Sequence, residues 1–255
     1  MDLQEAVDSI WESAQQGIYY PAEWKGKFNV EEAYQVQLGI LERYLAKGET
    51  QAGWKVGLTA KAIQDQLNVH EPVFGFLLES GRKPSGFLLD FEELVAPCME
   101  VELCLTLGKP LKGPGISPAD AREALSAVEP ALEIVERRGD FAADLPLALA
   151  DNAQQKFFVL GAATSPLPPD LKLGQATVEV SINGERMDQA QGSNVMGDPA
   201  ASLAWLANKL ATRGKKLEAG MRVMSGSFTK QFPIAQGDLF EARFQPFGTV
   251  TLQVK

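Results

Sequence analysis

The chain has 255 residues, of which 45% are apolar and 22% charged, and its acidic residues outnumber the basic ones by 33 to 24. This composition is typical of a globular protein and excludes a disordered chain, a collagen-like fibre and a coiled coil. The net charge of −9, without a basic stripe, argues against nucleic-acid binding, and no apolar run reaches the ~18–20 residues that cross a bilayer.

Cysteine and histidine are scarce, which limits the chemistry that the chain can carry. Cys98 and Cys104 are too few for a disulfide framework, and the acidic start of the chain is unlike a signal peptide, so a cytoplasmic setting is expected. A single histidine, His70, excludes a metal site built from several histidines.

The first third of the chain is predicted to be mostly helical, because its apolar residues recur at helical spacing. Asn29 followed by Glu32 has the pattern of a capping box at the start of a helix. The predicted elements, in chain order, are helices over 2–16 and 30–48, a strand over 54–58, a helix over 59–67 and a loop over 68–75.

The remainder is richer in short runs of β-forming residues separated by turn residues. The pair Asn183–Gly184, between two alternating runs, predicts a hairpin. Strands and helices mix without a regular βαβ period, which favours an α+β fold. The predicted strands are 99–107, 157–160, 176–182, 221–225, 239–244 and 250–254, and the predicted helices are 118–135 and 198–213.

The most informative feature is a group of acidic residues in apolar surroundings. On a strand, Glu100 and Glu102 project from the same face, and Glu133 lies in another apolar stretch. Buried carboxylates repel one another unless a cation joins them, and magnesium prefers oxygen ligands. The alternative is that the pair is exposed on an edge strand and that Glu133, like residues 136–138 after it, lies on a solvated helix surface.

Three further segments carry candidate binding groups. Lys55, between glycines, is suited to bind a substrate carboxylate or to move a proton, although it can equally be a surface lysine. Ser227 and Thr229, in a small hydroxyl-rich loop, can present polar groups to an anion or form a plain turn. Asp151 and Asn152 can orient site groups or simply cap a turn, and Lys156, just beyond them, is a candidate for binding substrate.

Together these segments resemble the hydratase/decarboxylase family of the fumarylacetoacetate hydrolase superfamily. That family includes 2-keto-4-pentenoate hydratase and 4-oxalocrotonate decarboxylase, which act in the catechol meta-cleavage pathway. The resemblance runs from about residue 32 to the end of the chain, and the order and spacing of its motifs make it specific. The motifs are AYQVQ at 33–37, KVGLT at 55–59, EVE at 100–102, PALE at 130–133, ADNA at 150–153 and GSFT at 226–229.

The resemblance implies a fold, a metal and a chemistry. It implies a helical N-terminal lobe, residues 1–85, that contributes Lys55 and packs on a mixed β-sheet or β-roll catalytic domain, residues 86–255. It also implies that Glu100, Glu102 and Glu133 hold Mg²⁺, or alternatively Mn²⁺, which a 2-oxo acid chelates. A cation there stabilises the enolate that develops when a proton or CO₂ leaves.

One segment departs from the family's hydratases, which carry Asp-x-Pro-Asp where this chain reads HEPV at 70–73. The second Asp is replaced by Val73, and an apolar residue at this place is typical of the family's decarboxylases. His70 and Glu71 are then candidates for the missing acid or base.

The expected function is that of a metal-dependent lyase of aromatic catabolism that acts on 2-oxo-4-enoic acids or diacids, with decarboxylation slightly favoured because Val73 cannot activate water. Three alternatives stay open: a hydratase of 2-hydroxypenta-2,4-dienoate or a related diacid, an acylpyruvate-type C–C hydrolase that uses His70 with Glu71, and a silent partner of a sister chain. A homo-oligomer is expected, with no membrane or nucleic-acid partner.

Overall fold

A computed structural model describes residues 2–255 and shows an α+β fold, as predicted. The capping box at the start of the second helix is confirmed: Asn29 Oδ1 accepts the Glu32 N–H at 3.0 Å, and Glu32 Oε2 accepts the Asn29 N–H at 2.9 Å. The α-helices in the described part of the chain are α1 (Leu3–Gln15), α2 (Val30–Ala46), α3 (Lys61–Gln66), α4 (Pro118–Glu123), α5 (Leu145–Ala150) and α6 (Pro199–Ala211).

The strands form two sheets. The larger sheet has the order β2-β1-β10-β5-β6-β7-β3, with β11 paired to β5, and the smaller one has the order β4-β13-β12-β8-β9. The strands are β1 (Gln51–Gly57), β2 (Val73–Leu78), β3 (Arg82–Pro84), β4 (Phe87–Leu89), β5 (Pro97–Leu107), β6 (Leu125–Glu136), β7 (Gln155–Leu160), β8 (Thr177–Ile182), β9 (Glu185–Gln191), β10 (Arg222–Met224), β11 (Phe232–Pro233), β12 (Leu239–Gln245) and β13 (Gly248–Val254).

The smaller sheet contains the hairpin that the sequence predicts. Asn183 and Gly184 join β8 to β9, and both residues have positive φ, at 55° and 81°. Those two left-handed residues define the turn that matches the twist of a two-residue hairpin.

Two sequence predictions are wrong. Residues 118–135 are not one helix: α4 ends at Glu123 and β6 begins at Leu125. Nearly every residue of β6 is buried on both faces, so its apolar run lacks the alternation that identifies a half-exposed strand. The predicted loop over 68–75 ends earlier than expected, because Val73 already belongs to the buried strand β2.

The larger sheet is built around the long antiparallel pair of β5 and β6, with β1 and β2 joined to it through β10. Strands from the first 85 residues therefore share one sheet with strands from the rest of the chain. We retain as a proposal that residues 1–85 form a helical lobe that supplies Lys55 to a catalytic core in 86–255. Among the described residues, no helix combines the length and apolar character needed to span a bilayer.

Candidate active site

Strands β5 and β6 bring three carboxylates to one place. Glu100 lies directly opposite Glu133 in the antiparallel register, and Glu102 is two residues further along the same face of β5. One oxygen from each of the three side chains lies within 4.8 Å of the others. Glu133 is distant from Glu100 and Glu102 in the sequence, and the pairing of the two strands brings it beside them.

This carboxylate cluster is largely withdrawn from water. Glu102 and Glu133 are 0% exposed, and Glu100 is half-buried. Glu102 Oε1 and both oxygens of Glu133 form no hydrogen bond, although Glu133 Oε1 forms an ion pair with a lysine. Burial raises the pKa of Glu102 well above its ordinary value, with Glu133 and Glu100 adding repulsion. Burial also raises the pKa of Glu133 to about 7, against the opposing effect of Lys55.

Lys55 is the cation beside this cluster, and it is not a surface lysine. Its side chain is 5% exposed, and its Nζ lies 3.3 Å from Glu133 Oε1. Burial opposes the charged form of Lys55, but attraction to Glu133, Glu100 and Glu102 outweighs burial and raises its pKa. The ammonium is therefore held in its charged form among the carboxylates.

The local backbone explains how Lys55 reaches β6 across the sheet. Between the strands of Lys55 and Glu102 lies β10, which ends at Met224, the residue that pairs with Lys55. On the other side Lys55 pairs with Gly75, where a Cβ would lie 3.4 Å from the Cε of Lys55 and 2.8 Å from Asn152 Oδ1. The glycine thus leaves the space through which the lysine stem passes.

The loop after β10 completes the wall of the site. The Gly226 N–H donates to Glu102 Oε2 at 2.8 Å, with φ at 106°, a left-handed conformation that favours glycine. Ser227 Oγ accepts the Val101 N–H at 3.1 Å, and Thr229 Oγ1 donates to the Lys230 carbonyl at 3.0 Å. The loop is therefore tied to β5 and presents its hydroxyl groups beside the carboxylates.

A cavity of about 760 Å³ opens over these groups. Its polar wall includes Lys55, Glu100, Ser227 and Thr229, so the structure brings together four of the residues singled out in the sequence. Another part of the cavity wall is apolar. Its apolar side chains include Leu58, Ile63, Leu67, Val73, Val135 and Phe141.

The donor set of the site fits a hard divalent cation. Carboxylate oxygens are the ligands that Mg²⁺ and Mn²⁺ prefer, and three of them here are buried without a donor. A bound cation would remove the mutual repulsion that raises the pKa of Glu102 and Glu133. Because Glu100 lines the cavity, a ligand in the cavity can reach the carboxylate cluster.

His70 and Glu71 lie outside this cavity. Both are exposed, and neither lines its wall. Glu71 Oε1 accepts a hydrogen bond from Lys209 Nζ at 2.6 Å, which directs its carboxylate toward α6. At Val73 the chain enters β2, so Val73 lines the cavity and neither candidate for the acid or base does.

Lys156 also lies elsewhere, and so do Glu136 and Arg138, which the sequence assigns with Arg137 to a solvated helix end. Lys156 lines a second cavity, and its Nζ lies 3.6 Å from Glu136 Oε1. Glu136 is fully buried at the end of β6 and pairs with the buried Arg138 at 2.8 Å, and Arg138 also pairs with Asp151 at 2.7 Å. Because residues 125–136 form a strand, this segment runs into the core instead of along a helix surface.

Two further residues support the site. Gln231 donates from Nε2 to Glu100 Oε1 at 2.8 Å and orients the least buried carboxylate. Asn152 exchanges hydrogen bonds with the Phe76 backbone at 2.8 and 3.0 Å and holds β2 beside Lys55. The sequence offers Asn152 either for orienting site groups or for capping a turn, whereas nothing in the sequence around Gln231 signals its role.

The fold and site define a class of enzyme: an α+β protein in which a carboxylate cluster and a buried lysine face a cavity suited to a small acid. Comparison with known proteins specifies the class further. Residues 59–255 match the model of the fumarylacetoacetate (FAA) hydrolase C-terminal family. The chain belongs to the fumarylacetoacetate hydrolase family, which confirms the resemblance seen in the sequence.

Its relatives are hydratases and decarboxylases. The chain is 37% identical over 230 residues to 2-hydroxyhexa-2,4-dienoate hydratase of Comamonas testosteroni, which covers 89% of this chain and 87% of the relative. It is 36% identical over 221 residues to 4-oxalocrotonate decarboxylase of Pseudomonas sp. strain CF600, covering 86% and 83%. Both relatives are lyases.

Solved structures agree with this placement. The 4-oxalocrotonate decarboxylase from Pseudomonas putida G7, complexed with magnesium and adipate, has a TM-score of 0.92 and 30% identity, covering 99% of this chain and 97% of that one. A fumarylpyruvate hydrolase from Pseudomonas aeruginosa, in complex with Mn²⁺ and pyruvate, has a TM-score of 0.64 at 14% identity, covering 80% of this chain and 89% of that one, and shares the fold.

Proposed function

We propose that this protein is a divalent-metal-dependent lyase that acts on 2-oxo-4-enoic acids or diacids in aromatic catabolism of the catechol meta-cleavage type. The observation that carries the proposal is the trio of Glu100, Glu102 and Glu133, whose carboxylates converge beside a charged lysine with oxygens of Glu102 and Glu133 that form no hydrogen bond. The hydratase and decarboxylase relatives support the same chemistry.

Glu100, Glu102 and Glu133 would hold the metal, Mg²⁺ or alternatively Mn²⁺. When bound, the cation acts as a Lewis acid that stabilises negative charge developing on the 2-oxo oxygen of the substrate. The chain's own contribution is to hold three carboxylates at fixed spacing on two paired strands, with Gly226 and Gln231 orienting two of them.

Lys55 would bind the substrate's C1 carboxylate. Its raised pKa keeps the ammonium charged at neutral pH, which favours electrostatic binding over a role as a base. Ser227 and Thr229, on the same cavity wall, would turn their O–H groups from the Val101 and Lys230 carbonyls to the substrate's oxygens. Lys156 has no part in this proposal, because it lines the second cavity.

Decarboxylation is the reaction that the cavity favours. Loss of CO₂ needs an electron sink but no base, whereas addition of water needs a group that activates the water. Val73 is apolar, and His70 and Glu71, on which the hydrolase alternative depended, do not line the cavity. Hydration is the second candidate, because the relative with 37% identity is a hydratase.

A spectrophotometric assay tests the proposal. Protein stripped with EDTA and then reloaded with Mg²⁺ is incubated with 2-oxohex-3-enedioate or with 2-hydroxypenta-2,4-dienoate. Metal-dependent consumption of the diacid with release of CO₂ supports decarboxylation, and metal-dependent consumption of the dienoate supports hydration. Consumption of neither, or rates that do not respond to metal, contradicts the lyase proposal and leaves the silent-partner alternative, which co-purification with a sister chain would support.

The protein's setting and assembly are part of the same proposal. Cys98 and Cys104 are buried free thiols on β5, which supports a reducing, cytoplasmic compartment. A homo-oligomer is supported by large apolar side chains left exposed on this chain, and light scattering after gel filtration measures its mass directly. Those exposed side chains include Ile18, Leu88, Val95, Met187 and Met196.

A further inference from the structure

The cavity over the carboxylates has an uneven distribution of charge. The carboxylate cluster and Lys55 form one end, and two exposed basic side chains, Arg137 and Lys230, stand at its rim. Basic groups at the mouth of a cavity are notable in a chain whose net charge is −9.

Arg137 lies one side chain away from a proposed metal ligand. Its Nη2 is 3.5 Å from Gln231 Oε1, and Gln231 Nε2 donates to Glu100 Oε1 at 2.8 Å. Because the oxygen and nitrogen of an amide are only about 2.3 Å apart, the guanidinium lies within about 9 Å of the Glu100 carboxylate.

The two rim cations are not neutralised by the protein. In residues 2–255 neither Arg137 nor Lys230 forms an ion pair, whereas the adjacent Arg138 pairs with Glu136 and Asp151. Apart from Glu100, the acidic residue on the cavity wall is Asp140, and its Oδ1 already accepts the N–H groups of Ala142 and Ala143 at 3.0 Å. The rim therefore has positive charge available for a ligand.

We propose that Arg137, assisted by Lys230, binds a second carboxylate at the far end of the substrate, so that the protein selects 2-oxo diacids over 2-oxo monoacids. The inference rests on the proposed function, in which the 2-oxo acid group lies at the carboxylate cluster. The terminal carbons of an extended six-carbon diacid are about 6 Å apart, which fits within the upper limit of about 9 Å between the Glu100 carboxylate and the Arg137 guanidinium.

Arginine is suited to this task because its planar guanidinium binds a carboxylate with two parallel hydrogen bonds. Gln231 links the two ends, since it contacts both Arg137 and Glu100. The bond to the distal carboxylate must stand out of the enone plane before CO₂ can leave, and holding that carboxylate in place fixes the torsion about the adjacent C4–C5 bond, which sets this angle.

Binding of two saturated analogues tests the proposal without turnover. Isothermal titration of the Mg²⁺-loaded protein compares 2-oxoadipate with 2-oxohexanoate, which differ in the terminal carboxylate and lack the conjugated double bond. We expect the wild type to bind the diacid ~10-fold more tightly or better, and Arg137→Gln to weaken diacid binding by ~10-fold while changing monoacid binding less than ~2-fold. Lys230→Gln should weaken diacid binding by ~3-fold, and Arg137→Lys should retain part of the preference.

Arg186→Gln is the matched control, because Arg186 is an exposed arginine on β9 of the smaller sheet. Equal affinity of the wild type for the two analogues, or equal weakening of both by Arg137→Gln, overturns the diacid proposal alone. Failure of the proposed function gives a different result: neither analogue binds, and a separate titration with Mg²⁺ or Mn²⁺ shows no metal binding.

Discussion

Lys55 and Glu133 form a buried ion pair, with Nζ 3.3 Å from Oε1 and both side chains at most 5% exposed. The pair links β1 to β6 across the place where β10 stops. Glu133 also faces Glu100 in the register of β5 and β6, so a single carboxylate serves both the lysine and the carboxylate cluster. This geometry makes the roles of the lysine and of the glutamates separable by experiment.

Lys55→Met should abolish catalysis without abolishing metal binding. Losing one partner of a buried ion pair costs ~3–5 kcal/mol, so the metal-free variant should unfold at lower urea concentration. Mg²⁺ should bind at least as tightly as in the wild type, because a neighbouring cation has been removed, while kcat/KM falls ~100-fold or more. Titration calorimetry and urea denaturation measure these effects. Lys61→Met, which removes an exposed pair with Asp65, is the control, and loss of Mg²⁺ binding in Lys55→Met would contradict this assignment.

Glu102→Gln should have effects opposite to those of Lys55→Met on metal binding and on the stability of the metal-free protein. The variant should lose the stabilisation that Mg²⁺ gives the wild type, which is ~2.7 kcal/mol at 100 times the dissociation constant. Without metal it should be more stable than the wild type by ~1–3 kcal/mol, because a buried like charge is gone.

Thermal unfolding with and without Mg²⁺ separates the two effects of this substitution. Glu129→Gln is the matched control, because Glu129 is another buried carboxylate, on the same face of β6 as Glu133. It accepts a hydrogen bond from Thr106 at 2.9 Å and lies outside the carboxylate cluster. An unchanged Mg²⁺ response in Glu102→Gln, or a lost response in Glu129→Gln, would count against the metal assignment.

Metal affinity should rise with pH up to about 7. Burial raises the pKa of Glu133 from its ordinary value of 4.5 to about 7, so below that pH the metal must displace a proton. The sign for stability is the reverse: between pH 4.5 and 7 the folded, metal-free protein binds more protons than the unfolded chain, so its free energy of unfolding decreases as pH rises. Calorimetry at several pH values measures how metal affinity changes, and urea denaturation in EDTA measures how the free energy of unfolding changes. Glu133→Gln should reduce the pH dependence of the free energy of unfolding.

Much of the fold follows from local sequence signals, and one central element does not. The capping box of Asn29 with Glu32 and the turn at Asn183–Gly184 are set by neighbouring residues, so both could be predicted. Strand β6 is buried on both faces by partners distant in sequence, and its apolar run fits a helix as well as a strand. Pro130 in its middle was the local signal against a helix, because proline lacks the N–H that a helix interior uses.

The candidate site likewise contains some residues that the sequence signals and others whose roles only the tertiary structure shows. Glu100, Glu102 and Lys55 could be singled out because charged residues are costly in apolar segments, whatever the fold. The parts played by Gln231 and Arg137 depend on where two strand ends meet, which only the tertiary structure shows. That His70 and Glu71 lie outside the cavity could not be predicted from sequence position, because it depends on the strand β2 beginning at Val73, which lines the cavity in their place.

Val73→Asp should introduce hydration into this site. Val73 lines the cavity beside Gly57 and is 4% exposed, so a carboxylate there would have a raised pKa, close to the value that suits a general base. We expect hydration of 2-hydroxypenta-2,4-dienoate to increase ~10-fold or more and decarboxylation to fall. Val73→Asn keeps the size without the charge, so equal rates in the two variants would show that the carboxylate does not act as a base.

Gly226→Ala should weaken metal binding although residue 226 is not a proposed ligand. A Cβ there would lie 2.5 Å from the Thr59 methyl group, and φ is 106°, so the loop must shift and its N–H must leave Glu102 Oε2. Losing such a support typically costs ~10–100-fold in metal affinity, and the backbone strain costs a further ~1–3 kcal/mol in stability. Gly214→Ala is the control, because Gly214 has φ of 67° but open space around it, and it should lower stability without changing metal affinity. If calorimetry finds the Mg²⁺ dissociation constant of Gly226→Ala equal to that of Gly214→Ala, the Gly226 N–H does not position Glu102 for the metal.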